Sequence, residues 1–133
     1  MKTTNCKILY VDDEKENLTS FKLLFRKDFD VIIANSAAEG LSLITQEEFQ
    51  VIISDQRMPI MTGIEFLEHV SDEQPNIIRI LLTGYGDTSA MQTAIDKGTV
   101  YQILSKPFDR EEMKAVLRNA IELYYNKNKN KTE

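Results

Sequence analysis

Short apolar segments alternate with amphipathic segments along this chain of 133 residues, and the alternation repeats five times. Three of the apolar segments are almost continuously apolar, as in strands covered by helices on both faces of a sheet. Strands that alternate with helices in this way pair in parallel through right-handed crossovers. The pattern therefore predicts an α/β fold with strands near residues 7–11, 30–34, 50–54, 77–82 and 100–105 and helices near residues 15–27, 36–47, 63–73, 87–97 and 109–126.

Residues that begin and end helices occur at several of these boundaries. Ser36 with Glu39, and Asp109 with Glu112, have the spacing of a capping box, in which side chains and backbone amides bond reciprocally at a helix start. Gly98 follows the fourth helical segment, at a position where a left-handed residue is common. These signals support the predicted order of strands and helices.

The length and composition indicate one globular domain. Hydrophobic residues make up 42% of the chain and charged residues 28%, which is ordinary for such a domain. Residues 127–133 are polar and lack periodicity. We therefore expect a domain over residues 1–126, followed by a polar tail or the start of a linker.

Several classes of function are disfavoured by the same composition. The net charge of −5 lacks the basic excess of a nucleic-acid-binding domain. The apolar segments are too short to cross a bilayer, and the N-terminal residues lack a signal peptide, so we expect a cytoplasmic protein that binds no membrane. Cys6 is the only cysteine and His69 the only histidine, which argues against an internal disulfide and a structural zinc site. We expect a buried or half-buried thiol and a surface or boundary histidine.

Polar residues end four of the apolar segments. Asp12 and Asp13 follow the first, Asp55 the third, Thr83 the fourth and Lys106 the fifth. Because the carboxyl ends of parallel strands lie at one edge of a sheet, these side chains are expected to converge there. Three carboxylates, a hydroxyl and an ammonium suit a divalent metal ion and a phosphoryl group.

Each of these residues also has a simpler explanation. Asp13 alone would serve as the N-cap of the first helix, and Asp55 would serve as a turn residue before Met58 and Pro59. A solvated side chain is the usual state of a lysine such as Lys106. A carboxylate can, however, attack phosphorus to form an acyl phosphate, and two clustered carboxylates repel unless a cation lies between them.

The order of these residues resembles the receiver domain of two-component response regulators. The resemblance extends from about Lys7 to about Tyr125 and rests on a set of short motifs: Asp12-Asp13, Asp55 with Met58-Pro59 and Gly63, Thr83-Gly84, and Lys106-Pro107-Phe108. It implies a three-layer, doubly wound, flavodoxin-like fold with five parallel strands in the order 2-1-3-4-5.

The resemblance also implies a role for each site residue. Asp55 would accept a phosphoryl group from a sensor histidine kinase or a phosphotransfer protein. Asp13, Asp55 and the main-chain carbonyl of Arg57 would bind Mg²⁺ directly, and Asp12 would act through water. Thr83 and Lys106 would hold the phosphoryl oxygens, so that the protein works by positioning and charge neutralisation.

The resemblance further implies a switch, with some departures from the usual pattern. Phosphorylation would change the face formed by the fourth helix, fifth strand and fifth helix, which is also where a dimer would form. Receivers commonly carry an aromatic residue three positions before the lysine, whereas this chain has Ile103 there. Tyr101 lies two residues earlier and, by parity, on the same strand face. Arg57 and Tyr85 are expected to flank the approach of water to the acyl phosphate and to slow its hydrolysis.

Two other functions remain open at this point. One is a small phosphatase with an aspartyl nucleophile, although the chain lacks an insertion long enough for a substrate cap. The other is a receiver-like scaffold that binds partners without phosphorylation, although Asp12, Asp13, Asp55, Thr83 and Lys106 are all present. The expected protein is a switch that carries out only its own phosphorylation chemistry, with an output that the sequence does not identify.

Overall fold

The computed structural model describes residues 6–84 and 88–132, without the side chains of residues 88 and 128–132. Strands and helices alternate along the chain. The strands are β1 (Lys7–Val11), β2 (Asp30–Ala34), β3 (Val51–Asp55), β4 (Ile78–Thr83) and β5 (Gln102–Ser105), and the helices are α1 (Lys15–Phe25), α2 (Ala37–Gln46), α3 (Gly63–Glu73), α4 (Thr88–Asp96) and α5 (Arg110–Thr132).

The five strands form one parallel sheet in the order β2-β1-β3-β4-β5. The sheet is doubly wound, because the chain runs from β1 outward to β2, returns past β1 to β3, and then continues in the other direction. This arrangement confirms the predicted flavodoxin-like fold. The point where the direction reverses lies between β1 and β3, where such sheets bind their ligands.

Two apolar cores cover the sheet, one on each face. On one face, α1 and α5 pack through residues that include Phe21, Phe25, Met113 and Leu117. On the other face, α2, α3 and α4 pack through residues that include Ile44, Phe66 and Met91. Burying one such side chain contributes about 1.5–3 kcal/mol before the cost of ordering it. The two cores fix the helices against the sheet, so the carboxyl ends of the strands keep fixed positions relative to one another.

Several boundaries differ by one or more residues from those expected from the sequence, among them the four that follow. Asp55 and Thr83 are the last residues of β3 and β4 instead of following them, so each still bonds through its backbone to a neighbouring strand. Strand β5 begins only at Gln102, so the parity that placed Tyr101 on the face of Ile103 does not apply. Helix α5 continues to Thr132, because its polar end contains no glycine or proline to stop helical hydrogen bonding.

The helix starts show which capping signals were correct. Ser36 Oγ accepts from Glu39 N–H as predicted, but the Glu39 carboxylate accepts from Asn35 N–H, so the expected box is only half formed. The complete reciprocal box is at α3, where Thr62 and Glu65 each accept from the other's backbone N–H. The hydrogen bond from the Thr62 backbone lowers the pKa of Glu65.

The sequence also assigned boundary roles to Asp109, Gly98 and Asp13. At the predicted box of α5, Glu112 N–H donates to Asp109 Oδ2, which is one of the two hydrogen bonds of such a box, and Gly98 has the expected left-handed conformation with a φ of 78°. The N-cap of α1 is Glu14 and not Asp13, and its side chain makes no capping hydrogen bond. The capping role that the sequence allowed for Asp13 is therefore wrong.

Arg79 joins two loops at the edge of the sheet opposite to the carboxyl ends of the strands. Its guanidinium donates to the carbonyl oxygens of Pro75, Ile77, Gly98 and Thr99 at 2.7–3.1 Å. Burial lowers the pKa of Arg79. The side chain thus fastens the segment after α4 to the segment before β4.

Cys6 is buried and His69 is exposed on α3, as predicted. Among the described residues, no helix has the combination of length and apolar character that spanning a membrane requires.

Candidate functional site

The carboxyl ends of β1, β3, β4 and β5 bring the predicted residues together. Asp12 directly follows β1, Asp55 ends β3, Thr83 ends β4 and Lys106 directly follows β5. Thr83 pairs with Ser105 in the sheet, and Lys106 N–H donates to Thr83 O at 2.9 Å. The parallel register therefore places residues from distant parts of the sequence at one edge.

Three carboxylates form an acidic cluster at this edge. One oxygen from each of Asp12, Asp13 and Asp55 lies within 4.8 Å of the others. Asp12 and Asp55 are buried, whereas Asp13 is exposed. Like charges at this separation repel each other in a partly desolvated site. The cluster therefore favours a cation among its oxygens.

Lys106 supplies a positive charge to the cluster. Its Nζ lies 2.7 Å from Asp55 Oδ1 and 3.7 Å from Asp12 Oδ2. The peptide bond between Lys106 and Pro107 is cis. These two distances show that the ammonium pairs closely with Asp55, the residue predicted to accept phosphate, and only loosely with Asp12.

The pKa values of this pair follow from burial and charge. Burial raises the pKa of Asp55, the hydrogen bond from Lys106 opposes that effect, and the charges of Asp12 and Asp13 add to it, with a raised pKa as the result. Burial lowers the pKa of Lys106, but the hydrogen bond and charge of Asp55 and the charge of Asp12 outweigh it, so this pKa is raised. Lys106 is therefore a permanent cation at neutral pH.

Asp12 is held by donors that the sequence analysis missed. Its Oδ2 accepts from the Tyr10 hydroxyl at 2.8 Å and from Asn17 Nδ2 at 3.1 Å, and its Oδ1 accepts from Glu14 N–H at 3.0 Å. Burial, followed by the charge of Asp12, raises the pKa of Tyr10, so its hydroxyl remains a donor. Tyr10 could have been found from the sequence, because it lies two residues before Asp12 along a strand.

The loop from β3 to α3 lies beside Asp55 and contains Arg57. A Cβ atom on Gly63 would meet the backbone oxygen of Asp55, so only glycine lets the start of α3 approach this closely. Ile60 has a φ of 73° and is fully exposed, and Met61 N–H donates to Pro59 O across it. Arg57 is exposed in this loop.

The remaining predicted residues have different surroundings. Thr83 is buried, Ile103 is half-buried against the core on the α4 side, and Tyr101 is exposed outside β5. Tyr85 lies outside the described residues. Beside Lys106, a cleft of about 540 Å³ opens between α1 and the segment that joins β5 to α5.

The donor atoms fit a magnesium ion. Mg²⁺ prefers oxygen ligands and commonly uses one or two carboxylates together with water. The acidic cluster offers three carboxylates, and the exposure of Asp13 leaves room for water on that side.

Comparison with known proteins identifies the class to which this fold and site belong. The family model described as "Response regulator receiver domain" matches residues 8–118. The chain belongs to the response regulator receiver domain family, whose members are regulatory switches of two-component systems and generally use Mg²⁺ at the acidic pocket.

Individual relatives agree with the family. The hydrogenase transcriptional regulatory protein HoxA of Cupriavidus necator is 33% identical over 86% of this chain, and the match spans 24% of that protein. Sporulation initiation phosphotransferase F of Bacillus subtilis is 28% identical over 92% of this chain and 98% of its own length. A receiver domain structure from Clostridium thermocellum has a TM-score of 0.83 at 32% identity and covers 89% of this chain and 95% of that one. The chain therefore spans about a quarter of HoxA but nearly all of the sporulation protein.

Proposed function

We propose that this chain is a phosphorylation-controlled switch in which Asp55 accepts the phosphoryl group. The observation that carries the proposal is the position of Asp55, which lies in the acidic cluster and pairs with Lys106 at 2.7 Å. A carboxylate oxygen of Asp55 attacks phosphorus, the bond between phosphorus and the donor nitrogen breaks, and the histidine leaves with a proton on its ring. The donor is a phosphohistidine of a sensor kinase or of a phosphotransfer protein.

The other site residues position the phosphoryl group and neutralise its charge. Lys106 pairs with a phosphoryl oxygen, and the Thr83 hydroxyl donates to another. Asp13, Asp55 and the Arg57 carbonyl would hold Mg²⁺ directly, with Asp12 acting through water. When bound, Mg²⁺ supplies positive charge against the phosphoryl oxygens. Positioning and electrostatic stabilisation then provide most of the catalysis.

We infer that the signal leaves the site through Thr83 and the loop to α4. Ile103 packs against the core that contains Met91 and has no hydroxyl, so a rotating aromatic side chain is not available at that position. The changed face would comprise α4, β5 and α5, which would bind an output partner or a second copy of the chain. NMR shifts on adding beryllofluoride test this inference, and shifts confined to α1 and α2 would contradict it.

Arg57 and Tyr85 are proposed to slow the loss of the phosphoryl group. Arg57 comes two residues after the acceptor and Tyr85 two residues after Thr83, positions that would flank an attacking water, and neither large side chain has a carboxylate to activate it. After removal of the donor, a variant with Arg57→Asn and Tyr85→Ala should lose its phosphoryl group faster than wild type. Equal decay of the two phosphorylated masses would rule out this shielding.

Labelling with acetyl phosphate separates the proposed switch from its alternatives. The protein is incubated with and without Mg²⁺, and its intact mass and the released phosphate are followed together. A switch acquires one stable phosphoryl group per chain only with Mg²⁺. Continuous turnover of many phosphate esters would indicate the phosphatase, and the absence of labelling would indicate the scaffold. We propose that, as a switch in a two-component pathway, the protein acts in the cytoplasm.

A further inference from the structure

The carboxylate of Asp12 is fully buried, and its contacts are unevenly shared between its two oxygens. Oδ1 accepts one hydrogen bond, from the backbone N–H of Glu14. Oδ2 accepts two, from the Tyr10 hydroxyl and from Asn17 Nδ2. Since a carboxylate oxygen has two lone pairs in its plane, these two donors fill the ordinary capacity of Oδ2.

Oδ2 is also the oxygen of Asp12 that faces Lys106. The ammonium lies 3.7 Å from it, which is beyond the length of an N–H···O hydrogen bond, and lies 2.7 Å from Asp55 Oδ1. An ammonium has three rotatable donors on a flexible stem, so its position depends on which acceptors around it are open. Lys106 thus has the carboxylates of Asp12 and Asp55 within reach. It bonds to Asp55, because Asp12 Oδ2 already accepts two other hydrogen bonds.

The position of the Tyr10 hydroxyl is fixed by packing. The ring is 2% exposed and stacks on Phe21 with ring centroids 4.2 Å apart and planes at 11°. Phe21 lies on α1 in the same core that holds α5. The ring therefore has no room to turn its hydroxyl away from Asp12.

We propose that Tyr10 is a positioning residue that acts through Asp12 to keep Lys106 on Asp55. The consequence for the reaction rests on the proposed function, but the pairing itself does not. Without the hydroxyl, Asp12 Oδ2 is a buried carboxylate oxygen with one donor missing, and such an oxygen draws in the nearest donor that can move. That donor is Lys106, which would then divide its bonds between Asp12 and the phosphoryl acceptor.

Tyr10→Phe tests the proposal, because it keeps the stacked ring and removes only the hydroxyl. The primary measurement is the ¹⁵N resonance of the Lys106 ammonium in the metal-free, unphosphorylated protein. We expect this resonance to shift in Tyr10→Phe. We also expect phosphoryl uptake from phosphoramidate at saturating Mg²⁺ to slow by about tenfold, at the lower end of what outer-shell partners contribute.

Two comparisons separate positioning from a general effect on structure. Tyr124→Phe is the matched control, since its hydroxyl bonds to Glu48 at 3.3 Å on a side of the protein away from the acidic cluster. It should leave the Lys106 resonance unchanged. In an Asp12→Ala background, Tyr10→Phe should cause no further shift, because the hydroxyl no longer has the carboxylate through which it acts.

Asn17→Ala provides a second variant if Tyr10→Phe folds poorly. Asn17 is half-buried and donates to the same oxygen, so its removal should shift Lys106 in the same direction. An unshifted Lys106 resonance in a folded variant would overturn the proposal, as would an equal shift with and without Asp12. If wild type takes up no phosphoryl group, the proposed function fails, yet the resonance still reports whether Tyr10 controls the pairing.

Discussion

Lys106 pairs with Asp55 across the end of the intervening strand β4, with 2.7 Å between Nζ and Oδ1. The two residues are far apart in sequence and meet because β3, β4 and β5 are parallel and in register. The pair gives the site its central feature. Burial and two other carboxylates disfavour the ionised form of Asp55, and the Lys106 ammonium partly offsets this effect.

Asp55→Asn should raise the free energy of unfolding of the metal-free protein at neutral pH. Because the folded protein raises the pKa of Asp55, it disfavours the ionised form. The ionised Asp55 carboxylate destabilises the folded wild type fully at pH values above the pKa of Asp55 in the folded protein. The effect disappears as the pH falls below the pKa of Asp55 in the unfolded chain, so the advantage of the variant should vanish in acid. Urea unfolding at several pH values measures it.

Mg²⁺ provides the control for this prediction. At saturating Mg²⁺ the wild type should gain more stability than Asp55→Asn, because binding to the folded form stabilises it. Asp72→Asn, at an exposed position on α3, should behave as wild type in both conditions. A metal-free Asp55→Asn protein less stable than wild type at pH 7 would show that the pairing with Lys106 outweighs burial and repulsion.

Gly63→Ala should destabilise the fold by about 1–3 kcal/mol or more, as overpacking of a close contact does. The added Cβ would meet the backbone oxygen of Asp55 and would lie 2.8 Å from Leu81 Cδ1. Gly84→Ala is the matched change, since its nearest neighbour would be Lys106 Cβ at 3.9 Å. Thermal unfolding should show a clear loss for the first variant and little for the second, and equal losses would contradict the structure of this loop.

Arg79→Lys should cost about 1–3 kcal/mol, since an ammonium cannot reach four carbonyl oxygens in two loops and leaves some of them without a donor. Arg118→Lys, at an exposed position of α5, is the control. Amide hydrogen exchange should increase around Gly98 and Thr99 in the first variant only. Unchanged exchange there would mean that Arg79 does not hold this segment.

Periodicity predicted the alternating strands and helices and the strand-end positions of the polar residues, whereas the strand order followed only from the resemblance to receiver domains. Apolar strands place their last residues at one edge, so Asp12, Asp55, Thr83 and Lys106 could be assigned to it without knowing any contact. The features that could not be predicted depend on the local direction of the backbone and on which hydrogen-bond partner a side chain meets. The half-formed box at Ser36 and the position of Tyr101 outside β5 follow from local backbone geometry that the residue pattern does not specify.

The donors of Asp12 and the loops held by Arg79 illustrate a second limit. The spacing of Tyr10 and Asp12 along a strand suggests that they are near each other, but only the packed structure shows the hydrogen bond between them and the four carbonyl oxygens around Arg79. The continuation of α5 to Thr132 was missed for a different reason, since a polar composition removes the amphipathic signal without preventing a helix.

Asp55 is proposed as the residue that becomes phosphorylated. The most direct measurement is borohydride reduction of the protein after incubation with phosphoramidate and Mg²⁺, followed by peptide mass analysis, because reduction converts an aspartyl phosphate into homoserine. We expect homoserine at position 55 in wild type and none in Asp55→Asn. Homoserine at position 12 or 13, or its formation in Asp55→Asn, would contradict phosphorylation of Asp55.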